Sequence, residues 1–282
     1  MALVVNTNVT SNIVQRNLAS ANSAVNKSIE RLSTGYKINR AADDAAGLAI
    51  SQGFDSQSSG TLVAKDNTQH GVNLLQTAEG DLDVIQNNLQ RIRDLTVQAA
   101  NGTYSTAEKA MIANEVKARI SEINRLASVS EFSSIKLLDG TAGSTLVLQV
   151  GANSGANNQL DISDALIVAN ASALSANLTI ENVDTAFATS NGANAYIDTI
   201  DEAIQTVSDA RAKIGAYQNR LESTLDSLDV RYENMASSLS TIKDTDVASE
   251  AANLTKAQIL QNVSVSLLAQ ANNNPAIALN LI

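Results

Sequence analysis

The chain has 282 residues, one Pro, no Cys, no Trp, 3% aromatics and a formal net charge of −10. Without Cys there are no disulfides and no thiolate metal sites, and an acidic balance with no cluster of Lys and Arg argues against nucleic acid as a partner. The 44% hydrophobic content comes mainly from Ala, Leu, Ile and Val, small aliphatic side chains that suit closely packed helices better than an aromatic-rich core.

The opening residues, MALVVNTNVTSNIVQRNL, carry no basic start, no long apolar run and no small-residue cleavage site, so a cleaved secretory leader is not expected. No stretch approaches the roughly 20 apolar residues of a membrane span, and no membrane insertion is expected. Val14, Leu18, Ala21, Val25, Ile29, Leu32 and Tyr36 form a narrow helical stripe among Asn, Ser and Gln. Next comes Asp43-Asp44, ahead of an Ala-rich stretch. Paired carboxylates can ligate a metal or do acid–base work, but acids before a helix favour its N-terminal dipole, and this is the reading adopted. The single histidine, His70 in TQHGVN, lacks a second ligand at metal spacing and reads as a surface or helix-end residue.

From Val72 a heptad seam runs through Leu75, Ala78, Leu82, Ile85, Leu89, Ile92, Thr96 and Ala99, the pattern of a long helix packed on another. Asn101-Gly102 breaks it. Ser105 or Thr106, ahead of Glu108, marks a new helix start, with apolar positions at Ile112, Val116, Ile120, Ile123 and Ala127.

Residues 139–195 are rich in Gly, Asn, Ser and Thr. Asp139-Gly140 signals a turn. Residues 145–150 read as a strand, with Gln159–Ile162 its partner across GANSGANN; that Gly-rich loop lacks the Lys and the following helix of a phosphate loop. Between Ile197 and Ile242 the 3–4 spacing is apolar at every position except Arg211 and Gln218, and this seam is the natural partner of the one from Val72 to Ala99. A weaker stripe follows at Ala251, Leu254, Ala257, Leu260, Val263 and Leu267, and the chain closes on the apolar PAIALNLI. The two terminal stripes carry too little apolar area to fold firmly alone and read as segments ordered by partners.

With no Cys and one His, Cys–His and Ser–His–Asp mechanisms are close to excluded. No enzyme activity, cofactor or metal site is expected. The fold class expected is mainly α, with long antiparallel coiled-coil helices formed by the N- and C-terminal segments and a small β-hairpin region in the middle.

Several segments then resemble one family. IERLSTGYKINRAADDAAGLAIS (Ile29 to Ser51), LQRIRDLTVQAANGTYS (Leu89 to Ser105), RAKIGAYQNRLE (Arg211 to Glu222), IKDTDVASEAANLT (Ile242 to Thr255) and TKAQILQNVSVSLLAQANNNP (Thr255 to Pro275) resemble bacterial flagellins, in their order. The resemblance implies an inner coiled-coil domain from 1–42 and 243–282, a core domain from 43–138 and 195–242, and a β-hairpin with a short variable region at 139–194. That is a short form without large outer domains.

It implies a subunit of the extracellular flagellar filament, serving motility as a helical polymer of itself and exported without leader cleavage. The implied partners are a type III export apparatus and its chaperone, the filament cap and hook-associated proteins. It also implies a host Toll-like receptor surface, here Gln90, Arg91, Leu95 and Glu115, which subunit contacts can share. The assembly stripe of the inner domain falls on Leu18, Val25, Leu32, Leu254, Leu260, Val263 and Leu267.

Three alternatives stand beside this reading. A hook–filament junction protein shares related terminal helices. A coiled-coil binding module would be a stable monomer or dimer at every concentration. An enzyme-bearing member of the family would need a zinc-binding pair and an inserted domain that this chain lacks. A periplasmic filament is the alternative to an extracellular one.

Overall fold

Heptad patterning and local caps set the helix boundaries. The computed structural model describes residues 7–141 and 146–279, with side chains through Asn273. Helix α1 spans Val9–Thr34; the Asn8 side chain accepts from the Ser11 amide (3.0 Å), and Gly35 closes the helix in the left-handed conformation at φ 76°, a geometry that favours glycine. Helix α2 spans Ala45–Ala100. Asp44 accepts from the Gly47 amide (2.9 Å) at its start, the structural role the sequence suggested for an acid there. Helix α3 spans Thr106–Val129 and opens on a reciprocal box in which the Ser105 hydroxyl accepts from the Glu108 amide and the Glu108 carboxylate accepts from the Ser105 amide. That amide bond holds the Glu108 carboxyl below the usual range.

The middle of the chain holds two short antiparallel ribbons. Strand β1 (Glu131–Phe132) pairs with β2 (Ile135–Lys136) through Ser133 and Ser134, both at positive φ. Strand β3 (Val147–Gln149) pairs with β4 (Gln159–Asp161) in the register Leu148 to Leu160. Thr145, the start of the strand expected from sequence, lies outside the described residues, as do the side chains of the apolar end PAIALNLI. Two short helices follow, α4 (Ala171–Leu174) and α5 (Ile180–Phe187), in a stretch whose composition suggested only surface chain. Helix α6 spans Ser190–Lys243 and α7 spans Val247–Leu279.

Two compact units result, Met1–Gln57 with Asn234–Ile282, and Ser58–Glu233. In the second, the α2 seam is wholly buried: Leu75, Ala78, Leu82, Ile85, Leu89, Ile92, Thr96 and Ala99 have no exposure. They pack with Ile200, Val207, Ile214 and Leu221 of α6 and Val116, Ile120 and Ile123 of α3. The two polar interruptions of the α6 seam meet polar partners on α2. Arg211 pairs with Asp83 (3.0 Å) and bonds Gln86, and Gln218 donates to Glu79 (2.9 Å). Such pairs fix the register of a helix seam. A glycine inside α2, Gly71, leaves the space that Leu148 of β3 fills, which seats the ribbon against the helix.

Candidate assembly surface

The first unit is built on α1 and α7, which run antiparallel. Asn8 donates to the Ala271 carbonyl (2.7 Å) at one end, Gln261 donates to Asn22 (2.7 Å) in the middle, and Ser28 donates to Glu250 towards the other end. Beyond it, the Lys37 amide donates to the Lys243 carbonyl and the Thr245 amide to the Gly35 carbonyl, both at 2.8 Å. Asp43 braces this end: Lys27 reaches it at 2.8 Å, and that bond, with the Asn39 and Arg40 amides, holds its carboxyl below the usual range.

Buried positions recur every seven residues, the anchors of a 4–3 spacing, with Val14, Ala21 and Ser28 on α1 and Glu250, Ala257, Ser264 and Ala271 on α7. Leu18, Val25, Leu32 and Leu254 fall between them in the same seam and are partly buried. Leu260, Val263 and Leu267 do not. They are 50%, 47% and 52% exposed, along the edge of a groove of about 610 Å³ whose other wall includes Ala21 and Ala24. Ile259, one turn before Val263, and Val265, on another side of α7, are also exposed. Helix α7 therefore keeps an apolar strip, Leu260, Val263 and Leu267, that α1 does not cover.

Sequence reasoning missed Ser28, Glu250 and Gln261, because it followed the apolar residues. The signal that finds them is the 4–3 spacing itself, which continues from Leu254 through Gln261 and Leu268 whatever the residue type.

The second set of expected residues lies on α2 and α3. Arg91 and Glu115 are brought together, the guanidinium reaching the carboxylate at 3.1 and 3.2 Å. Gln90 beside them is exposed. Leu95 is 3% exposed and belongs to the hydrophobic core.

Chemistry is sparse elsewhere. His70 is exposed on α2. Among the described residues no group of three His, Asp or Glu could hold a metal ion, and no helix is long and apolar enough to cross a membrane. The Tyr196 hydroxyl is buried without a hydrogen-bond partner, and burial pushes its phenol up, leaving it protonated and packed edge-on against Phe187.

Two family models match the chain, the bacterial flagellin N-terminal helical region over residues 5–143 and the C-terminal helical region over residues 197–282. The flagellin of Halalkalibacterium halodurans is 39% identical over 99% of this chain and 100% of its own length. This chain belongs to the bacterial flagellin family. A second flagellin relative, the flagellar filament core protein flaB2 of Brachyspira hyodysenteriae, is 38% identical over 99% of this chain and 100% of its own. Its match end to end leaves this flagellin with no large variable domain in its 282 residues. The backbone is also similar to a putative flagellar hook-associated protein from Vibrio parahaemolyticus, with a TM-score of 0.60 and 15% identity over 72% of this chain and all of the other, a likeness of fold.

Proposed function

We propose that this flagellin is the structural subunit of a flagellar filament serving motility, active by polymerising with further copies of itself and not by catalysis. The observation that carries this reading is the uncovered apolar surface of α7. Fully burying a Leu or Val side chain is worth about 1.5–3 kcal/mol, so covering Leu260, Val263 and Leu267 gives neighbouring copies a substantial driving force. In a filament such a contact is heterologous, α7 on one copy meeting a different surface on the next, and contacts of this kind propagate into helical polymers. The names of its end-to-end relatives, flagellins and filament core proteins, favour the filament subunit over the hook–filament junction alternative.

Seeded growth tests the reading. Filament fragments added to purified protein should elongate in electron micrographs, and Leu260→Asp or Val263→Asp should abolish sedimentable polymer. Filaments growing from either variant at the normal rate would overturn it.

Several finer assignments belong to the same proposal. Residues 1–42 and 243–282 act as the inner coiled-coil domain, 43–138 and 195–242 as the core domain, and 139–194 as the hairpin and short variable region. Export proceeds through a type III apparatus with its chaperone and without leader cleavage, and the cap and hook-associated proteins receive the chain outside the cell. The absence of Cys in the sequence supports threading and rapid refolding, because no disulfide has to form. The Arg91–Glu115 surface, with Gln90 beside it, offers a host Toll-like receptor an exposed charged contact on released subunits.

A further inference from the structure

Within the unit Ser58–Glu233, every described Lys and Arg but two has a side-chain partner. The two are Arg220 and Arg231, both exposed and both lining a cavity of about 340 Å³ between the β3–β4 ribbon and α6, with Asn157, Asn158 and Ser227.

Their isolation follows from the sequence. A helical charge finds its neighbours three and four residues away. Around Arg220 those positions are Ala216, Tyr217, Ser223 and Thr224; around Arg231 they are Ser227, Leu228, Asn234 and Met235. None is acidic. The nearest acids, Glu222 for Arg220 and Asp229 and Glu233 for Arg231, each stand two residues away, on the far side of the helix.

The same segment carries a second charged line. Glu222, Asp226, Asp229 and Glu233 follow at spacings of four, three and four. At about 100° per residue they form one stripe, roughly 120–180° around the helix from Arg220 and Arg231. The buried Leu221 and Leu228 lie between the two stripes. Lys65 holds Asp229 at 2.5 Å; among the described residues Glu222, Asp226 and Glu233 have no side-chain partner. Like charges three or four apart on a helix repel, so this stripe is self-repelling in the free chain.

We propose that these flanks are the two halves of one contact between copies, the Arg220/Arg231 flank of one copy docking on the Glu222/Asp226/Glu233 flank of a second. The inference rests on the reading that the chain polymerises, and it adds a charge-complementary contact on the core helix to the apolar one on α7. Charge complementarity identifies the occupant: the basic flank is unsatisfied, the acidic flank is unsatisfied and self-repelling, and both recur on every copy. Because they lie on opposite sides of one helix, docking leaves a free flank of each sign on the pair. The contact propagates in one direction and does not close as a two-fold dimer. Charge pairs at the edge of an interface act chiefly on association rate and on salt dependence.

The experiment uses the full chain in seeded growth. Arg220→Glu with Arg231→Glu should slow elongation about tenfold, as should Glu222→Arg with Asp226→Arg, and raising salt from about 0.05 M to about 0.5 M should narrow the gap to the unaltered protein. An equimolar mixture of the two reversed variants should recover growth, because one presents acid on both flanks and the other presents base. Unaltered growth of the single-flank variants, or no recovery in the mixture when both variants keep the unaltered protein's circular dichroism, overturns the inference. Normal growth of the reversed variants while Leu260→Asp is inert would sink this contact alone. Failure of the unaltered protein to elongate on seeds would sink the assembly reading and this contact together.

Discussion

The α2–α6 pair and the α1–α7 pair are both antiparallel heptad seams, but they are filled with different side chains. Along α2 the seam is Leu, Ile, Ala and one Thr, each without exposure. Along α1 and α7 the most buried positions are Val14, three Ala, two Ser and Glu250. Burial of large aliphatic side chains drives folding at about 25 cal/mol per Å², and Ala or Ser supplies little such area. The core unit therefore carries its stability within one chain. The terminal pair is specified by polar contacts such as Ser28–Glu250 and Gln261–Asn22 but its most buried positions are small or polar, and Leu260, Val263 and Leu267 lie outside that seam. In the proposed filament, neighbouring copies complete it.

The largest effect expected from this contrast lies in the core. Leu95 and Leu89 are buried among α2, α3 and α6, and truncating a buried Leu to Ala costs about 2–5 kcal/mol. Leu95→Ala or Leu89→Ala should lower the urea midpoint of the free protein by a corresponding amount. A midpoint unchanged within error would mean that the core does not supply the stability assigned to it.

A smaller, differently located effect is expected at Glu250. It accepts from Ser28 and pairs with Arg31 at 3.4 Å. Glu250→Ala leaves both donors without their acceptor, at about 1–3 kcal/mol. Filaments of the variant should dissociate at lower temperature, while the urea midpoint of the core stays in place. Glu250→Gln keeps an acceptor for Ser28 and should fall between. Equal loss in both measurements would erase the division of labour between the two seams.

Much of this contrast was legible before any coordinates. The seams of α2 and α6, the break after Ala100 and the Ser105–Glu108 start all follow from apolar spacing and cap chemistry, because each is a local rule with one outcome. The α7 register was harder to read. Its residues are apolar on several faces, so hydrophobicity alone does not choose the side that meets α1; Glu250 and Gln261 do, through partners more than 200 residues away. The β1–β2 ribbon was invisible for another reason. Its turn uses Ser133 and Ser134 at positive φ, conformations that sequence patterns assign to Gly or Asn. Leu95 illustrates a limit of motif matching: a residue can share a motif with exposed neighbours and still point into the core.

Arg91 gives the smallest effect on stability and, set beside Leu95, the sharpest test of the receptor surface. The Arg91–Glu115 pair is exposed, and such pairs contribute about 0.2–1 kcal/mol. Arg91→Ala should therefore leave the urea midpoint nearly unmoved. If released subunits engage a Toll-like receptor through this surface, a reporter assay should nonetheless lose signal, because the side chain lost is one the receptor can touch. Leu95→Ala should behave in the opposite way. Its signal should fall in step with its stability and return when the assay temperature is lowered to where the variant is folded. A full signal from Arg91→Ala would remove the charged contact from the receptor surface, and a loss from Leu95→Ala that persists in the folded protein would show that Leu95 acts there directly despite its burial. The comparison separates a residue that is read by a partner from one that holds the reading surface in shape.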